Sequence, residues 1–461
     1  MRTLAKAEEG FLRELFAVFE TMDICYAVLR NYDTLPTSLN GSDLDILVHP
    51  EDAGKAKAAI GQGIARSGGA VLGYVDTVNF IKIFSLGKSI GLDPMQWWGA
   101  RLDISIDLQY AGVAQLIDIE ILRKRICRHN GIRVLDRRLA AILGVIKELL
   151  HNGILPARYI DSARRAVQDN WAQICPDLAP VGKSALDQLR DLCLSDPQSP
   201  EIKAKAALLR RTLLWTACVR APMAFCSGVV GFQWSKVKRI FRPSGLVIAV
   251  LGTDGAGKST IIHAIAPVLA AATHGALFVK HLRPGLLPPL ARMKGKKEPR
   301  NGPVIDPHGS RPSGAIGSLC RLAYLLIDYS IGYWIVIRPT IARRPAIVLF
   351  DRYAYDMAID PRRFRIDLPV RCIRWFLRLA PRPDLIFCLH GDPTVIARRK
   401  GELPVAEIGR QTQALLDFAA NESRAIVVST EGTVEQARDQ VLTALLEFCA
   451  QRSTTGVRHG P

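Results

Sequence analysis

LVIAVLGTDGAGKSTIIHAIAPVLAAA, residues 246–272, is the stretch from which the rest of this chain can be read. Six apolar residues run straight into GTDGAGKST, and a segment with apolar positions three and four apart follows. That pattern predicts a short buried strand, a glycine-rich turn and a helix. Residues 252–260 match G-x-x-x-x-G-K-[ST] through Gly252, Gly257, Lys258 and Ser259. Glycines let the backbone wrap closely around a phosphate chain, while successive N–H groups and the helix N-terminus supply donors and positive potential. Lys258 is expected to reach the terminal phosphates of ATP, and the Ser259 hydroxyl to ligate Mg²⁺. Gly252, Asp254, Gly255, Ala256, Gly257, Lys258, Ser259 and Thr260 are the residues expected around the nucleotide.

Outward from this loop, short apolar runs alternate with longer helical patterns: LVIAVL, a helix after 258, ALFVKHL, a long helix near 315–342, AIVLF and DLIFCL. Alternation of this kind predicts βαβ crossovers, hence an α/β fold with a parallel sheet flanked by helices. The chain breaks at Arg242, Pro243, Ser244 and Gly245, which puts this domain at 244–453, with a disordered tail at 454–461.

A second motif, AIVLFDRYAYD at 346–356, joins the first. Together, over roughly residues 246–450, they resemble the thymidylate kinase family of nucleoside monophosphate kinases, which are P-loop enzymes. The resemblance implies an ATP- and Mg²⁺-dependent phosphotransferase acting on a phosphorylated small-molecule acceptor. It implies that Asp351 lies beside Mg²⁺ and the phosphates, that Arg352 and Tyr353 belong with the acceptor, and that Asp254 approaches the acceptor sugar. A loop-capping role is the other reading of Asp254. Arg398, Arg399 and Lys400 match a mobile arginine-bearing lid, with Arg410 and Gln411 beside it; a solvated helical charge run reads the same way. Lys258, Asp351, Arg352, Arg398 and Arg399 are thus the expected catalytic set.

The pattern also departs from the family. Arg283, Pro284 and Gly285 stand where a longer Arg-Glu-Pro-Gly-Gly-Thr-like segment is usual, leaving Arg283 as the acceptor-side residue. Basic insertions follow, with Arg292, Lys294, Lys296, Lys297 and Arg300, then Arg362, Arg363 and Arg365. These changes fall on the acceptor side, and the arrangement is closer to thymidylate-kinase-like proteins associated with bacterial surface-polysaccharide biosynthesis.

Residues 1–112 read as α+β: a helix over 4–21, strands at CYAVL and LDILV, a helix near 51–66, and strands at 79–84 and 103–109. GSDLDILV, residues 41–48, resembles the nucleotidyltransferase superfamily. Asp43 and Asp45, two apart on a strand, face one side and are candidates to hold Mg²⁺. Asp107 in DISIDLQ is the expected third carboxylate, with Asp103 behind it; Arg30 is a candidate phosphate ligand. Residues 113–243 read as a helical region and linker.

Hydrophobic residues make up 49% and charged residues 23%, as in a globular protein and unlike a disordered one. The net charge of +18 points to anionic partners. Ten cysteines without a Cys-x-x-Cys pair suggest neither zinc nor disulfides. Glu8, Glu9 and Arg13 interrupt any leader-like run, so a cytoplasmic protein is expected, and a homodimer. Residues 212–234 and 322–337 lack the roughly 20 clean apolar residues of a spanning helix, although Lys236, Lys238, Arg239 and Arg242 leave peripheral membrane contact open. Two other readings stand: a polynucleotide kinase fused to a nucleotidyltransferase, disfavoured by the lack of a Lys-x-Asp-Gly motif, and a nucleotide-binding regulatory scaffold.

Overall fold

The computed structural model describes residues 2–77, 79–89, 96–288, 314–400 and 403–457. The basic positions 292–300 lie outside these. The chain divides into two units, Met1–Lys238 and Arg239–Pro461.

In the first unit, strands β1 (Tyr26–Val28), β2 (Leu44–Val48), β3 (Gly69–Thr77), β4 (Phe80–Lys88) and β5 (Trp97–Ser105) are followed by a small pair, β6 (Gln109–Tyr110) and β7 (Ala114–Gln115), and then by β8 (Ile126–His129) and β9 (Ile132–Leu135). Seven of them form one mixed sheet in the order β3-β4-β5-β2-β1-β9-β8. The helices Arg2–Thr21 and Ala53–Arg66 pack on it, burying Phe11, Leu15, Phe19 and Ile60 with Tyr26, Ile46 and Leu102. Trp98 fills the space over Gly69 and Gly87, where an added Cβ would lie 2.5 and 2.4 Å from its ring.

The helical region is not separate. Helices Arg137–Asn152, Ala157–Ile174, Lys183–Leu194 and Ile202–Arg220 share a core with Ala27 and Leu47 of the sheet and with Leu29 just after β1, so the expected division at 112 falls inside one body. The helical reading of 113–243 also misses β7, β8 and β9: strands of two to four residues carry too little periodicity to stand out between helices.

The second unit is built around β10 (Leu246–Gly252), β11 (Leu277–His281), β12 (Ile347–Asp351), β13 (Leu385–His390) and β14 (Ala425–Ser429). They form one sheet in the order β11-β12-β10-β13-β14, every neighbouring pair parallel. β10 is buried along its whole length, as expected for the central strand of a parallel sheet covered on both faces. The chain moves to one side of β10 first and to the other afterwards, so a crevice opens at its carboxyl end.

The segment Ala315–Arg343, helical with a π turn at Tyr333–Ile337, is the one stretch among the described residues long and apolar enough to cross a membrane by length and composition. Its Leu322, Leu325, Leu326 and Tyr329 instead build the core of this unit, and Asp328 is fully buried. The last helix runs Val434–Val457, so residues 454–457 continue it where a disordered tail was expected. All ten cysteines are free.

Candidate functional site

At the carboxyl end of β10 the chain turns through Gly252 to Gly257 and enters the helix Lys258–Ala272. Gly255 and Gly257 have φ of +89° and +86°, a region that costs residues with a Cβ about 1–2 kcal/mol. Gly252 is required for a different reason, because a Cβ there would meet Leu389 O at 2.9 Å. Lys258 folds back over the loop, its Nζ donating to Gly252 O at 2.9 Å and Thr253 O at 2.8 Å. Ala256 is buried, whereas Ser259 and Thr260 are exposed on the first helical turn.

β12 delivers the second motif alongside. Val250 pairs in register with Asp351, and Arg352 follows with φ +73° while its N–H donates to Val250 O at 3.0 Å. This left-handed residue directs its guanidinium across the loop onto Asp254, which also receives Arg363 and lies 3.6 Å from Lys258 Nζ. Arg352 further approaches Asp356 Oδ2 at 3.5 Å. Burial would raise the Asp254 carboxyl, but Arg352, Lys258 and Arg363 overcome it and hold that group well below the usual range. Burial, helped by Arg352, pulls Lys258 down to about 8. Burial raises Asp356 against the same three cations. Three cations, Arg352, Lys258 and Arg363, thus converge on the Asp254 carboxylate, and a phosphoryl group reaching the site can compete with it for them.

Mg²⁺ is the ion that the phosphate loop implies, and the residues fit it. Asp351 Oδ1 is buried without a hydrogen-bond partner among the described residues, and its other oxygen lies 3.5 Å from His281 Nδ1. Burial opposes ionisation of Asp351, yet His281, Lys258 and Arg352 keep it low, so it is a ready oxygen donor.

Arg283 lies 3.3 Å from the fully buried Asp328, whose other oxygen accepts N–H groups of Leu286 and Leu287 at 2.7 and 3.0 Å. Tyr353, grouped with the acceptor from sequence, is a core residue instead: its ring packs on Phe350 and Tyr329 and its hydroxyl donates to Pro381 O at 2.5 Å. Arg398 and Arg399 are exposed on the helix Pro393–Lys400 and stand outside the ion-pair network around Asp254 among the described residues. Sequence reasoning missed Asp356 and Asp328 as partners of the two arginines. For Asp356 a signal existed, since it follows Arg352 by four residues.

In the first unit, Asp43, Asp45 and Asp103 bring carboxylate oxygens within 4.8 Å of one another, close enough to share an ion. Asp45 and Asp103 are register partners on the parallel strands β2 and β5, and Lys82 on β4 is opposite Asp103. Asp107 is not the third carboxylate. β5 ends at Ser105, the chain bends, and Asp107 accepts from Gln109 at 2.8 Å instead.

A phosphate loop at the switch point of a five-stranded parallel sheet, with a carboxylate and an arginine at the end of the neighbouring strand, defines a P-loop α/β unit. The chain is similar to a thymidylate kinase of Xanthomonas campestris pv. campestris (strain B100), 32% identical over 166 residues, which are 35% of this chain and 64% of that protein. A thymidylate kinase of Xanthomonas oryzae pv. oryzae (strain PXO99A) is 34% identical over 169 residues, 35% of this chain and 65% of that protein. The chain therefore spans just under two thirds of the length of these curated relatives. Among solved structures, thymidylate kinase from Ehrlichia chaffeensis superposes with a TM-score of 0.32 at 16% identity, covering 44% of this chain and all of that one. The Candida albicans enzyme gives 0.29 at 18%, covering 45% and 92%. No family model matches the chain.

Proposed function

We propose that the second unit is an ATP-dependent phosphotransferase that moves the γ-phosphoryl group to a phosphate oxygen of a phosphorylated small-molecule acceptor, releasing ADP. The observation that carries this is the ion network joining Lys258 in the phosphate loop to Arg352 at the end of β12 through Asp254. Phosphoryl transfer needs little from the protein beyond in-line positioning and neutralisation of the charge on the transferred oxygens. In this reading Lys258 binds the donor's terminal phosphates. Arg352 and Arg363, both held on Asp254, take the acceptor's phosphate. Mg²⁺ held by Ser259 and Asp351 would neutralise charge shared by the donor's terminal phosphates.

The thymidylate kinases similar to this chain support a nucleotide acceptor. The basic residues Arg362, Arg363 and Arg365 favour a phosphorylated acceptor more broadly. Incubation of the full chain with γ-labelled ATP, Mg²⁺ and a panel of nucleoside monophosphates and sugar phosphates tests this. Label appearing in one acceptor supports the reading; ATP hydrolysis with no labelled acceptor in any arm sinks it.

A further inference from the structure

The carboxylate cluster of the first unit has an arrangement that does not suit a resident metal. Asp45 is bonded at one oxygen by Lys147 Nζ, 2.8 Å, and at the other by Arg30 Nε, 2.5 Å. Arg101 grips Asp103 with both tines of its fork, at 2.9 and 2.7 Å, and Lys82 Nζ adds a contact at 3.4 Å. Asp43 faces Arg101 at 3.3 Å and Arg30 at 3.9 Å, one on each oxygen. All six carboxylate oxygens therefore already face a cationic nitrogen, and four cations surround three anions. A divalent ion could enter only by displacing several of these pairs.

The sheet explains why the cations are needed. Register pairing sets Asp45 directly beside Asp103, and like charges on neighbouring strands destabilise a sheet unless neutralised. The neutralisation overshoots by one charge. Arg30 is 8% exposed, and its Nη1 is buried with no partner among the described residues, while its Nε and Nη2 are turned onto the cluster. Lys82 and Lys147 keep about a third of their side chains open to solvent, at 34% and 38%.

We infer that this cluster is a phosphate-ester binding site that works without a divalent metal. The carboxylates hold two arginine forks and two lysines in place, and a phosphoryl group supplies the acceptor that Arg30 Nη1 lacks. The first unit is then a binding module and not a nucleotidyl-transferring one. The phosphate ester belongs to a nucleotide or to a sugar phosphate, the chemistry being shared.

The test uses the full chain carrying Lys258→Ala, so that the phosphate loop of the second unit is weakened and failure here is separate from failure of the kinase reading. Calorimetry in EDTA with AMP, with glucose 1-phosphate and with inorganic phosphate should show binding of at least one probe. Adding Lys82→Ala and Lys147→Ala should weaken it about tenfold or more, and Lys82→Arg with Lys147→Arg should restore most of it. Arg352 and Arg363 of the second unit still face the same probes in this protein, so only the binding lost with both lysines is read: where that part is tighter for AMP it assigns a nucleotide, and where tighter for glucose 1-phosphate a sugar. A folded Lys258→Ala protein that binds none of the three, or binds equally well after both lysines are removed, overturns the inference. So does free Mn²⁺ binding, without nucleotide, that Asp43→Asn abolishes.

Discussion

Arg352 and Asp254 are 98 positions apart in the chain, yet the guanidinium of one rests on the carboxylate of the other at the carboxyl end of the sheet. Arg352 also faces Asp356 and is only 6% exposed. Its removal therefore leaves the buried Asp356 and the largely covered Asp254 short of a cation, at about 3–5 kcal/mol for a broken buried pair. Arg352→Ala is expected to lower the melting temperature and to raise the acceptor KM far more than the ATP KM. Arg352→Lys, which keeps the charge and loses the fork, should recover much of the stability but not the acceptor KM. Calorimetric unfolding and initial rates separate the two effects, and an unchanged acceptor KM in both variants contradicts the assignment.

Lys258 reaches back to Gly252 O and Thr253 O, and phosphates would take its hydrogen bonds over from these carbonyls. Lys258→Ala should reduce ADP release by about 10²–10³-fold, the size found when one charge-stabilising donor is removed from a transition state. Normal turnover by this variant would mean that the loop does not bind the reacting phosphates.

The low value of about 8 at Lys258 gives a pH signature. The ammonium form is the one that attracts phosphate; it is fully present well below 8 and is lost as pH rises. ATP affinity without Mg²⁺ should be flat from pH 6.8 to 7.3 and weaken about tenfold by pH 9, following the fraction protonated. Kd measured across that range in a protein whose circular dichroism is constant checks it; an affinity independent of pH would refute it.

Two glycines of the loop should respond differently to the same change. At Gly252 an added methyl meets Leu389 O, a backbone atom of β13 that cannot swing aside, and overpacking of this kind costs about 1–3 kcal/mol. At Gly257 nothing lies within 4 Å of an added Cβ, and only its positive φ opposes alanine. Gly252→Ala is expected to unfold at lower denaturant than Gly257→Ala, while both weaken ATP binding. The reverse order in urea titrations would show that the β10–β13 contact is not as tight as described.

Much of the second unit was legible because its information is local. A buried run, a glycine turn and a helix occupy 27 consecutive residues, 246–272, and β11 to β13 each announce themselves as short apolar runs. What lay beyond reach depends on pairing between distant strands. Alternation in DISIDLQ says which residues share a face, but not where the strand stops, so Asp107 looked as good as Asp103. Only the register of β2 against β5 puts Asp103 beside Asp45. Lys82, Arg101 and Lys147 come from β4, β5 and the helix Arg137–Asn152, and no window of sequence shows them meeting. Tyr353 sat inside a functional motif and serves packing, a distinction that depends on burial alone.

The union of the sheet with its downstream helices bears on how this molecule can be cut. Ending a fragment at residue 112 would strip β9 and β8 and bare the hydrogen-bonding edge of β1, where Val28 pairs with Val134. It would also uncover Leu29 and Leu47, whose apolar cover comes from helices that begin after Asp136. A raw strand edge beside an uncovered greasy face is a template for clumping, so soluble expression of the isolated N-terminal half should require that the polypeptide continue past Arg220.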